Sequence, residues 1–555
     1  MKRKRSAHFS GDNKPNPIAS EEIYLTRESH PTTCGDGKET KQDMLCLKCK
    51  ELDFKSIFAP PSDPLPPNGL PVTEFRSDFN ADCSFCSTVL SVLPATPEGN
   101  PRISNGASGT SFGYYLRACD SLQPLRLCRE PHRVASQPNV VLAVVPGRPD
   151  LQSQADVIDE AISRGVIVPT YEPSPQNHLT RGRYDYRGRI VRPDGINFTL
   201  LRSWIGGCQK WEQGSHRKYS HHLLGKTRVL SRVIDCFTRK MVPLMEDMEY
   251  LALSYVWGPQ KAADTTLSPG GNQSDCLPCP VPRTIEDAIA VVRRLGKQYL
   301  WVDRYCIWDS EDRHLQIQNM HRIYTNSICT IVAAYGDDAN SGLCGISSSR
   351  CTQPQLKTNA GILVTTFPNL AHQLARSRWA SRGWTYQEAV LSRRCLFFTS
   401  DQVYFVCQTS LHCEAVAQSS LYLPDETRQA LGPGIMSISS QPSCGLEGDT
   451  EHIIYRHIRE YSGRSLTFDS DALNAFRGII STVSTFAYYG LPFLETQTAD
   501  SAFARALVWR STGYSPSGQR IRRREGYPTW SWTSLLGQID YSFSYSPLGR
   551  GPSFL

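Results

Sequence analysis

Residues 250–258, Tyr-Leu-Ala-Leu-Ser-Tyr-Val-Trp-Gly, are a nearly unbroken apolar run, rich in aromatic and β-branched side chains and followed by Pro259. A strand that alternates apolar and polar residues leaves one face in water, whereas an unbroken run needs cover on both faces. Further runs of this kind lie at 299–303, 328–334, 395–399 and 402–407. Between them the spacing predicts helices. One spans 284–295, with Thr284 as N-cap and Ile285, Val292 and Leu295 in one stripe; others span 309–326 and 377–391. The alternation predicts an α/β fold over 245–410, a doubly wound, mainly parallel sheet of the flavodoxin-like kind. In such a sheet ligands lie at the carboxyl ends of the strands.

Around this centre the chain divides further. Residues 1–40 are polar, lack periodicity and read as disordered. Residues 41–95 are Cys-rich, and 96–195 read as a Pro-, Ser- and Arg-rich linker or insertion with one strand at 140–145. Residues 196–244 supply a helix and a β-hairpin lead-in. Beyond the central domain, 411–450 read as a linker and 451–555 as an α+β region with an aromatic cluster at Tyr527, Trp530 and Trp532.

The net charge of +7 is spread along all 555 residues, with no basic stripe interleaved with aromatics, so the sequence carries no footprint for nucleic acid. No apolar stretch reaches the roughly 18 residues of a membrane span, and the start lacks a secretion signal, so the expected location is the cytoplasm. Lys2 to Arg5 read as a solvated terminus or a nuclear address. Nineteen cysteines in such a chain are reduced thiols, with room for a metal site. Cys46, Cys49, Cys83 and Cys86 form two C-x-x-C pairs, each aiming two sulfurs at one point as structural zinc requires. The alternative is four unliganded thiols packing a small subdomain.

Helical spacing puts Glu388 on the same inward stripe as Trp384 and Leu391. A carboxyl there is ion-paired with Arg382, Arg378 or Arg304, or it is held protonated by burial and available to chemistry at a glycosidic bond. Asp303 and Arg304 end the second strand, where an acid can hold a ribose hydroxyl and a guanidinium a phosphate; Asp303 can equally cap the loop. Ser254 lies in the first strand, and Trp257 after it either stacks on a base or closes the core. Arg378, Trp379, Arg382 and Trp384 interleave cations with indoles, which suits a phosphate-bearing ligand or mutual packing. No P-loop, G-x-G-x-x-G, H-E-x-x-H or G-x-S-x-G motif is present.

Leu253-Ser-Tyr-Val-Trp-Gly258, Leu300-Trp-Val-Asp-Arg-Tyr-Cys-Ile307, Gln318-Asn-Met320 with Arg322-Ile-Tyr324, and Ser377-Arg-Trp379 through Arg382-Gly-Trp-Thr-Tyr-Gln-Glu388 resemble, in order, the motifs of the fungal heterokaryon incompatibility (HET) domain. The flanks resemble long HET-domain proteins too, in the paired C-x-x-C, Asp471-Ala-Leu-Asn474 and Pro528-Thr-Trp-Ser-Trp532. One departure is Trp308, where the family usually has an acid. The resemblance implies self/non-self recognition and programmed cell-death signalling, with the domain associating with itself and with other death-signalling proteins. It also implies a distant relation to Toll/interleukin-1 receptor (TIR) domains. Some of those cleave NAD with a helix-borne glutamate, whose place Glu388 would take.

Overall fold

The computed structural model describes residues 44–59, 65, 69–75, 79–80, 82–93, 114–120, 140–146, 160–170, 187–211, 231–258, 275–307, 312–407, 410–417, 449–483, 486–493, 499–513 and 521–541. The segment expected to be disordered, 1–40, lies outside the described residues, as do Lys2 to Arg5, Trp308 and most of 411–450. In chain order the strands that bear on the site are β1 (Leu70–Phe75), β2 (Tyr114–Asp120), β3 (Val140–Pro146), β4 (Ile167–Pro169), β5 (Arg187–Gly188), β6 (Arg232–Asp235), β7 (Lys240–Pro243), β8 (Tyr250–Ser254), β9 (Tyr299–Trp301), β10 (Thr330–Ala333), β11 (Gln355–Thr358), β12 (Gly361–Thr365), β13 (Arg394–Phe398), β14 (Val403–Cys407) and β15 (Leu411–Cys413).

The central sheet has eight strands in the order β15-β14-β13-β10-β8-β9-β6-β7. Its middle four, β13, β10, β8 and β9, run parallel, and the β14–β15 and β6–β7 pairs extend the two edges antiparallel. The sheet is therefore mixed rather than mainly parallel, because the lead-in hairpin joins one edge and the closing strands the other. Among the parallel strands the order is β9-β8-β10-β13, second-first-third-fourth in the chain, so the winding reverses between β8 and β10. Side-chain alternation divides β13 between two cores. Leu396 and Phe398 pack with Leu201, Ile285 and Ile289, whereas Cys395 and Phe397 pack with Leu370, Trp379 and Ala389. The helices Phe198–Trp211 and Arg283–Arg294 thus cover one face, and Leu370–Ala375 and Gly383–Val390 the other. Every residue of β8, β10, β13 and β14 is buried, as unbroken apolar runs require.

Three local expectations change. The helix over 284–295 begins at Arg283 behind Pro282, and the Thr284 hydroxyl accepts from Gly342 N at 3.0 Å instead of capping. The helix over 309–326 breaks at Asn319 into Arg313–Gln318 and Met320–Asn326. The Asn319 side-chain amide donates to Leu315 O at 2.8 Å and so shares that carbonyl with its own backbone N–H, which reaches it at 3.0 Å. The helix expected from 377 starts only at Gly383, since Arg382 is extended (φ −90°, ψ 141°) and bridges to Ser465.

Residues 96–195, expected as a linker with one strand, supply β2, β3 and β4. These form an antiparallel sheet of six strands, β1-β2-β3-β4-β12-β11. The hairpin β11–β12 comes from the long connection between β10 and Leu370–Ala375, so the central domain lends two strands to the N-terminal sheet. The C-terminal region is α+β. Its core of Ile454, Ile458, Phe476, Ile479 and Trp532 also takes in Tyr386, Val390 and Leu391 of the central domain. No helix among the described residues is long and apolar enough to cross a membrane.

Candidate functional site

The reversal point between β8 and β10 brings the loop ends of both strands together. Gly258, at φ +83°, lies in the connection after β8, and a Cβ there would lie 2.4 Å from Asp338 Cβ in the loop after β10. Only glycine accepts both that backbone and that approach. Ala339 N donates to Trp257 O at 3.4 Å across the same seam.

Ser254, the last residue of β8, is fully buried and points its hydroxyl towards the helix Gly383–Val390. Its Oγ donates to Glu388 Oε2 at 2.5 Å and accepts from Trp379 Nε1 at 2.8 Å. Glu388 is 5% exposed and, among the described residues, makes no ion pair; what it meets is the Ser254 hydroxyl and that of Tyr324. Burial pushes its carboxyl up to about 8, and the neighbouring Asp303 adds to this. The Ser254 hydroxyl, the Arg382 charge and the Tyr324 hydroxyl pull the other way without cancelling it. At neutral pH the Glu388 carboxyl is therefore largely protonated.

Asp303 follows β9 and faces the same seam. Its Oδ2 accepts from Trp257 Nε1 at 2.9 Å and its Oδ1 from Arg304 N at 2.7 Å. Burial holds its carboxyl above the usual aspartate range despite these donors and the charge of Arg382. Arg382 Nη1 donates to Tyr255 O at 3.5 Å, and the Arg304 guanidinium lies 5.9 Å from the centre of the exposed Trp257 ring. The Tyr255 hydroxyl is buried beside Asp303, where it favours the carboxylate form, and burial together with that carboxyl holds the phenol well above its usual range.

The structure thus gathers Ser254, Trp257, Asp303, Arg304, Arg382 and Glu388 at one seam. Trp384 does not join the carboxyls: its Nε1 donates to Asp471 Oδ2 at 3.1 Å, and its ring packs between the central core and the C-terminal one. Arg378 is exposed. Sequence reasoning missed Tyr255 and Tyr324. The signals available were an aromatic residue just past the end of β8 for Tyr255 and one on the inward face of the helix Met320–Asn326 for Tyr324, and both also describe ordinary core residues.

A second cluster lies in the N-terminal region. The sulfurs of Cys46, Cys49, Cys83 and Cys86 all fall within 4.8 Å of one another, with Cys49–Cys86 at 3.7 Å and Cys46–Cys86 at 3.9 Å. A metal bound to four thiolates at about 2.3 Å has tetrahedral S–S edges of about 3.8 Å, so this donor set could hold one ion. Burial, with the neighbouring thiols, drives the Cys49 thiol well up and the Cys86 thiol up to about 11. Burial opposes ionisation of Cys83 too, but backbone N–H groups of Cys46 and Cys86 outweigh it and bring that thiol to about 7.

Comparison with known proteins adds one match: residues 250–388 fit the family described as Heterokaryon incompatibility protein (HET). No curated protein and no solved structure matches the chain. The matched span opens on the first residue of β8 and closes on Glu388, and so contains both carboxyls of the seam. Over residues 250–388, then, the chain is similar to the heterokaryon incompatibility (HET) family.

Proposed function

We propose that the chain acts in the cytoplasm, in fungal self/non-self recognition and programmed cell-death signalling among further copies of itself and other death-signalling proteins, and that its HET domain hydrolyses the glycosidic bond of NAD. The observation that supports this reading best is Glu388, a buried carboxyl held near pH 8 beside a second raised carboxyl at the reversal point of the sheet. The strand order is the flavodoxin-like one, in keeping with a relation to TIR domains. Trp257 stacks on a ring of the nucleotide, Arg304 pairs with its phosphates, and Asp303 and Tyr255 take ribose hydroxyls.

In the reaction the bond from ribose C1′ to the nicotinamide nitrogen breaks. Its electron pair leaves with nicotinamide, which departs neutral, and a water adds to C1′ and releases a proton. The nicotinamide ring of the substrate is a cation, and its positive charge beside Glu388 favours release of the Glu388 proton to water as NAD binds. The carboxylate so formed, fixed by Ser254 and Trp379, stabilises the oxocarbenium character at C1′. Of metals, zinc suits the four sulfur donors of the N-terminal cluster, as a closed structural site.

The test is NAD consumption by the full chain, beside Glu388→Gln. The expected loss in the variant is about 100-fold or more, and kcat/KM of the parent should rise as pH passes through about 8. A folded parent that consumes no NAD at any pH would remove this reading. Self-association without turnover, read by light scattering, would then take its place.

A further inference from the structure

The cysteine cluster and the HET domain share a sheet. Cys83 and Cys86 open the helix Ser84–Ser91, and Cys46 and Cys49 open the turn Leu47–Lys50; Ser84 N donates to Met44 O at 3.1 Å and joins the two. Phe85 and Val89 of that helix pack on Leu356 of β11 and Leu363 of β12, inside the same core as Cys49, Cys83 and Cys86. At the hairpin tip Asn359 donates to Asp53 Oδ1 at 3.1 Å, and Asp53 in turn caps the turn Phe54–Ile57. The cover of β11–β12 on this face is therefore the cysteine module.

That module is small. Its helices among the described residues have four, four and eight residues. Units below roughly 70 residues rarely hold a core together without a metal or a covalent staple. The hairpin it covers is part of the connection that builds the crevice. On one side the connection begins with Asp338 pressed on Gly258. On the other it runs through Thr366 N to Val166 O (2.9 Å) and Asn369 N to Ser163 O (2.7 Å) into Leu370–Ala375 and on to Arg382 and Glu388.

We propose that zinc held by Cys46, Cys49, Cys83 and Cys86 is a folding ligand for the HET domain's own hairpin, so that occupancy of the N-terminal cluster controls the order of β11–β12 and of the crevice loops on either side of it. The proposal rests on the zinc reading above. Binding free energy at a site absent from the unfolded module becomes folding free energy for everything packed on it.

The experiment uses the full chain. Zinc is counted by elemental analysis, then released by a mercurial with a chromogenic chelator present, and amide hydrogen exchange is followed over 355–365 and 338–341 before and after. One zinc per chain is expected, with exchange at least ten-fold faster after release and slowed again by added zinc but not magnesium. The double variant Cys49→Ser, Cys86→Ser should reproduce the metal-free exchange pattern. Less than half an equivalent of zinc overturns the zinc reading and the proposal with it. One equivalent with unchanged exchange over 355–365 overturns the coupling alone and leaves zinc as a local staple.

Discussion

Glu388 carries its cost in the folded state. Its folded value of about 8 stands above the ordinary 4.5, so the native protein holds a proton that the unfolded chain has released. Below pH 4.5 both states are protonated and nothing is lost. As pH rises from 4.5 through about 8 the wild type loses stability, with an upper limit of about 5 kcal/mol set by 1.36 kcal/mol per unit. Glu388→Gln removes the titration, so its stability relative to wild type should climb over that window in urea unfolding series at several pH values; a flat difference would show that Glu388 is not held protonated. Ser254→Ala takes away the donor to Glu388 and strands the Trp379 indole N–H, all in a buried place. The expected cost is about 1–3 kcal/mol, and the pH at which kcat/KM rises should move upward because a donor favouring the carboxylate is gone.

The helix Gly383–Val390 works on two sides. One presents Glu388 and Ala389 to the sheet, and the other gives Tyr386, Gln387 and Val390 to the C-terminal helices. The Tyr386 hydroxyl meets Nδ1 of His457, whose ring burial keeps neutral by bringing its value down to about 3. Gly478 lets the helices close: a Cβ there would lie 2.3 Å from His321 Cβ and 2.7 Å from Leu391 Cδ1. Gly478→Ala should therefore cost about 1–3 kcal/mol by overpacking, read as a lower denaturant midpoint. Of these elements the sequence made the parallel strands legible, since an unbroken run such as 250–258 has few other fates, and it marked Ser254, Asp303 and Glu388 by their places at strand ends and on an inward stripe. It could not show that Arg382 would be extended, because the partner that extends it, Ser465, lies far along the chain. Nor could it show the hairpin β11–β12, whose pairing strand is the three-residue β4, or the nearness of Asp303 to Glu388, which arises from strand order and helix docking together.

The HET match covers residues 250–388, yet those residues do not stand by themselves in this molecule. A fragment of residues 240–410 would lose every partner strand of its hairpin and uncover Tyr386, Val390 and Leu391. It should bind a hydrophobic dye and self-associate without selectivity, while the full chain does not; a monomeric fragment with the full chain's melting behaviour would contradict the shared cores. The borrowed hairpin also bears on how the protein is made. Strand β4 ends at Pro169 and its neighbour β12 begins at Gly361, so during synthesis the N-terminal sheet waits for nearly two hundred further residues to leave the ribosome. At bacterial to eukaryotic elongation rates that wait is roughly 10 to 40 s. Throughout it β4 offers a bare edge to the cell, which makes this nascent chain a client for chaperones that shield unpaired strands.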